Sequence, residues 1–106
     1  MAFSLQKSQS VLLPNPAGSV ADFTAKTAIG SIRFSNTTNA NKTIDVWFDY
    51  DGTAATDTEK VHYAVSIPKN TSVVMPGVFV FVSGGRITAS CSVANAVTMH
   101  YTSATF

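Results

Sequence analysis

Four acidic residues gather around one short stretch, with Asp49-Tyr50-Asp51-Gly52 at its centre, Asp45 before it and Asp57 beyond. Hard divalent cations seek clustered carboxylate oxygens, so a calcium loop is the first chemistry to weigh. The spacing fails that of an EF-hand. Its glycine belongs at the sixth loop position and here falls at the fourth, and Lys60 stands where the bidentate glutamate is needed. A strand end followed by an Asp-Gly turn accounts for the same residues, and no metal or other cofactor is expected.

The two imidazoles, His62 and His100, fall by parity on the polar sides of their segments and read as exposed strand histidines. The chain has 12 serines, but no Gly-x-Ser-x-Gly elbow presents one as a nucleophile. The single cysteine, Cys91, lies on the apolar parity of its segment and reads as a buried structural thiol. No local signature couples it to a histidine. Catalytic residues are therefore not assigned, and the chain is expected not to be an enzyme.

Trp47 is the more informative aromatic. It sits between Asp45 and Asp49 on the polar side of its segment, beside Phe48 on the apolar side. An outward indole can anchor a protein interface or offer a platform to a sugar ring, and a strand buried on both faces is the structural alternative. Tyr50 and Tyr63 are the residues that could extend a sugar platform. The segment Val78-Phe79-Val80-Phe81-Val82 is a hazard if it forms an open sheet edge, because such runs pair with other chains.

These groups must be carried by strands. Ile44, Val46, Phe48 and Tyr50 alternate with Asp45, Trp47 and Asp49, and Val61, Tyr63, Val65 and Ile67 alternate with His62, Ala64 and Ser66. The same period of two runs through Ile87–Val93 and Val97–Tyr101. It is the mark of antiparallel strands with one face on a core. Turn chemistry divides them: the polar loop 36–41, Asp51-Gly52, Pro68-Lys69-Asn70, Pro76-Gly77, Ala94-Asn95, and Gly84-Gly85 as a tight hairpin. The expected fold is all-β, a single antiparallel sandwich of about eight strands spanning residues 26–106, either jelly-roll or immunoglobulin-like. Residues 1–25 form an N-terminal arm or first strand, with a turn of helix expected over Val20–Thr27.

Composition narrows the partners. At 106 residues the chain suits one domain. Seven basic and six acidic residues leave a net charge of +1, and no basic stripe is present to neutralise phosphates, so nucleic acid is not an expected partner. Ser and Thr together number 25, giving a neutral, hydroxyl-rich skin suited to packing against a neighbour. One cysteine precludes an internal disulfide and points to a reducing compartment. The opening Met-Ala-Phe-Ser-Leu-Gln-Lys reads as no signal peptide, and the longest apolar run is far short of the roughly 20 residues that cross a bilayer. The sequons at Asn36, Asn41 and Asn70 read as loop composition.

The order of signals from about Ile32 to Tyr101 resembles a loose group of small virion-associated proteins of tailed bacteriophages. The resemblance is carried by Ile-Arg-Phe-Ser-Asn-Thr-Thr, then Thr-Ile-Asp-Val-Trp-Phe and the Asp-Gly-Thr-Ala loop. It continues through Val-Ser-Ile-Pro-Lys-Asn-Thr-Ser-Val-Val-Met, Gly-Gly-Arg-Ile-Thr-Ala and Ala-Asn-Ala-Val-Thr. It implies a β-sandwich that decorates or cements a capsid, or sits in the neck or tail, and it transfers no catalytic residue. The expected partners are a major capsid protein or other virion proteins and further copies of the chain, with a trimer favoured. The expected location is the virion, assembled in the host cytoplasm. A carbohydrate-binding module is the rival from another class. Interface residues are expected at Phe3, Leu5, Val11, Leu12, Leu13, Trp47, Phe79 and Phe81.

Overall fold

The computed structural model describes residues 6–52 and 61–105, with side chains from Gln9 onward. Eight strands follow in order: β1 (Gln6–Leu12), β2 (Gly18–Asp22), β3 (Thr27–Asn36), β4 (Lys42–Asp49), β5 (Val61–Ile67), β6 (Thr71–Phe81), β7 (Arg86–Cys91) and β8 (Val97–Thr105). They form two four-stranded antiparallel sheets, one ordered β1-β8-β3-β6 and the other β2-β7-β4-β5. Strands thus pair first with last and second with seventh, inwards to β4 with β5, which is the jelly-roll order. The choice between jelly-roll and immunoglobulin-like connectivity is settled in favour of the former.

The inward positions of both sheets meet in one core. From the β1-β8-β3-β6 sheet come Ile29, Ile32, Phe34, Phe81, Val97 and Met99, and from the other sheet Ile44, Val46, Phe48, Ile67, Ile87 and Ala89. Burying side chains of this size is worth roughly 1.5–3 kcal/mol each before conformational entropy is set against it. Cys91 is buried among them as a free thiol.

Three local expectations are corrected. Val20–Thr27 is not helical: β2 runs to Asp22 and pairs with β7, with a register shift between Ser19 and Ala21. That bulge breaks the alternation and mimics a helical spacing. Gly84-Gly85 is not a hairpin, because β6 and β7 belong to different sheets and the turn crosses between them. Pro76-Gly77 does not separate strands either. It lies inside β6, where the pairing with β3 shifts, and an edge strand tolerates a proline because its outer N–H positions need no partner.

Both ends of the sandwich are tied. At one end Asn36, 1% exposed, donates from Nδ2 to the carbonyls of Ala40 (2.9 Å), Ile67 (3.1 Å) and Pro68 (3.2 Å). Its Oδ1 accepts from Thr38 N (3.0 Å) and Thr38 Oγ1 (2.6 Å). At the other end, Gly84 N donates to Phe23 O (2.8 Å), Phe23 N to Gly85 O (2.9 Å) and Val82 N to Tyr50 O (3.0 Å). Replacing Asn36 by Ala removes the donor from three carbonyls at once, the one of Ile67 in a buried position. A loss of about 2–3 kcal/mol follows. Urea unfolding should show it as a lower midpoint with an unchanged slope.

Candidate functional site

The outward face of the β2-β7-β4-β5 sheet carries the aromatic site. Trp47 on β4 stands directly opposite His62 on β5, and Asp45 opposite Ala64. The indole and imidazole rings stack with centroids 5.0 Å apart and planes 14° apart. His62 Nε2 lies 2.9 Å from Asp45 Oδ1, with the two side chains 44% and 45% exposed. Asp45 therefore fixes the ring that covers Trp47. A contact this exposed adds little stability, about 1 kcal/mol or less. Its effect is orientation.

The carboxylates do not converge on a cation. Asp49 is buried, and its Oδ1 accepts a hydrogen bond from Gly52 N at 2.9 Å, capping the turn. Asp57 lies outside the described residues. Among the described residues no group of three His, Cys, Asp or Glu side chains stands together as a metal set.

Tyr50 and Tyr63 turn inward against the core and do not join Trp47. Each rings the Phe48 side chain, at centroid distances of 6.0 Å and 5.3 Å. Burial raises the Tyr50 phenol above its ordinary value near 10, and the charge and hydrogen bond of Tyr63 add to the rise. Burial also raises Tyr101.

The expected interface residues divide. Leu13 and Phe81 are fully buried in the chain's own core, so neither has surface to offer another chain. Phe79 and Val11 are partly buried and packed against that core. Leu12 is 53% exposed, and Trp47 is half-buried. Phe3 and Leu5 lie outside the described residues.

The segment Val78–Val82 does lie at a sheet edge, at the end of β6, but it is the valines and not the phenylalanines that face outward. That strand is an edge of its sheet and carries no charged residue. Val78 is 72% exposed and Val74 54%, with Val80 and Val82 each above 40%. Beside them a shallow depression of about 440 Å³ lies against Val78, lined by Ala28, Gly30 and Ala104 together with the hydroxyls of Ser31, Thr102 and Ser103. The sequence signal was the even-numbered valines, obscured by the phenylalanines between them.

No known family model matches this chain, and no curated protein matches it.

Two measurements check the site. In His62→Ala, one indole face is uncovered, so acrylamide quenching of Trp47 fluorescence rises while the melting temperature moves by only a few degrees. Tyrosine ionisation gives the second. The unfolded chain releases the Tyr50 and Tyr101 protons near pH 10, and the folded chain releases these two at higher pH. Stability is therefore full below about pH 10 and falls as pH rises above it, and absorbance at 295 nm in native and urea-unfolded protein separates the two titrations.

Proposed function

We propose that the protein is a non-enzymatic virion structural protein of a tailed bacteriophage, a decoration or cement protein that self-associates and binds the major capsid lattice. The observation that carries the reading is the uncharged β6 edge with its row of exposed valines. A protein that stays monomeric rarely leaves such an edge open, because unpaired backbone groups and apolar side chains together invite association. A jelly roll by itself does not choose the role, since viral capsid, lectin and cupin domains share it. The near-neutral, hydroxyl-rich composition and the resemblance of residues 32–101 to small phage virion proteins supply the rest.

The carbohydrate reading rests on Trp47 and is the weaker, because His62 covers one face of the ring and neither tyrosine extends the platform.

Light scattering on a sizing column tests self-association. The intact protein runs as an oligomer, a trimer on this reading, and Val78→Asp weakens association at least tenfold without changing the circular dichroism. Co-sedimentation with empty capsids tests the location. Binding to isolated tails instead would move the protein to the neck or tail, and a monomer that binds neither particle would overturn the proposal.

A further inference from the structure

The outward face of the β1-β8-β3-β6 sheet holds a second, chemically different depression, of about 330 Å³. Arg33 on β3 stands directly opposite His100 on β8, and His100 opposite Ser10 on β1. Ser10 Oγ and His100 Nδ1 are 2.9 Å apart, which fixes the imidazole and leaves Nε2 as its free ring nitrogen. Ser31, Ser35 and Thr102 complete the hydroxyl lining.

The backbone here is unusual. β3 is an interior strand, yet its pairing shifts on both sides between Gly30 and Arg33, and Ser31 holds a φ of 53°. The left-handed region is costly for a residue with a side chain, and bulges in sheets commonly re-aim side chains beside binding sites. On the neighbouring strand Gly77 has a φ of 110°, so both strands buckle at one level. The buckle lies between the Arg33 depression and the one around Val78, and both are lined by Ser31 and Thr102.

Charge is segregated. Every described carboxylate, from Asp22 through Asp45 and Asp49 to Asp51, belongs to the opposite sheet or its turn. Arg33 has no ion-pair or hydrogen-bond partner among the described residues. The geometry points to a binding site for an acidic sugar unit. Its carboxylate sits on the Arg33 guanidinium, its hydroxyls bond to His100 Nε2, Ser35 and Thr102, and its apolar ring face spreads towards Ala28, Gly30 and Val78. Guanidinium suits a carboxylate because it can bind both oxygens at once. An acidic peptide fits less well. β3 and β8 are both interior strands, so the depression offers no open backbone ladder for an extended chain, only side-chain donors and acceptors.

Nuclear magnetic resonance titration of the whole protein tests this, reading the Arg33 Nε–H and the His100 ring signals. The probes are trimers of galacturonate, hyaluronan disaccharide units and sialic acid, then neutral galactotriose, triglutamate and sodium sulfate. At least one acidic saccharide shifts both residues, galactotriose does not, and Arg33→Gln weakens the binding at least tenfold while the rest of the spectrum is unchanged. Equal binding of sulfate or triglutamate would reduce the site to a general anion site and overturn the sugar assignment. The absence of shifts with all three acidic saccharides would overturn the site itself. Arg33 pairs with Val74 and Val78 borders the sugar's apolar subsite, so Val78→Asp bears on both readings. Arg33→Gln with saccharide titration judges the sugar site, and light scattering of the unaltered protein, oligomer or monomer, judges the assembly reading.

Discussion

Phe48 is the contact through which the two sheets recognise each other. It projects from β4 in one sheet onto Phe79 and Phe81 of β6 in the other, at centroid distances of 4.8 Å and 5.7 Å and near-perpendicular angles. Edge-to-face packing of this kind places the positive rim of one ring on the negative face of the next, and so fixes angle as well as distance. Tyr50 and Tyr63 close the cluster on the β4 and β5 side, and Phe23 stacks on Phe81 at 4.5 Å from the β2–β3 connection. Because a sandwich core is only about 10 Å thick, one ring that spans it sets the separation for every aliphatic pair beside it.

The ends of the sandwich follow from that separation. Only β4 and β5 are both consecutive and adjacent, so the other connections cross between sheets, and each crossing exposes backbone groups that need partners. Asn36 meets the need at one end with a single buried amide. At the other, turns approach so closely that side chains are excluded. A Cβ on Gly52, which has a φ of 76°, would lie 2.3 Å from Gly84 O. Two glycines facing each other across the two sheets are the cost of bringing these turns together, and every buried side-chain polar atom among the described residues has a partner.

Much of this was legible in the sequence, and the failures have one physical origin. Alternation located β4, β5, β7 and β8 because each has one wet face, and period two is unambiguous there. In Val78–Val82 both parities are apolar. Nothing in the residues says whether the valines or the phenylalanines face the core, and Phe81, expected at an interface, is fully buried in the chain's own core. Asn36 was the opposite case. It continues the inward series of Ile32 and Phe34, so parity alone marks it as buried, although it also opens a sequon at the start of a polar loop. Strand order and the bulges at Val20, Ser31 and Pro76 depend on long-range pairing, which local patterns do not encode.

The bulges also explain why the sheet that carries β6 can present an open edge without becoming a flat template for aggregation. Pro76 and Gly77 interrupt β6 near its middle, so the exposed valines fall in two short stretches on either side of a bend, and no continuous strand of 11 residues is offered to a passing chain. A partner must match that bend as well as the apolar surface, which turns a non-specific hazard into a shape requirement. The same buckle, passed to β3 through the shift beside Gly30, hollows the outer face around Arg33. One irregularity in the backbone thus shapes both surfaces that this face leaves available, the apolar edge and the cationic, hydroxyl-lined depression beside it.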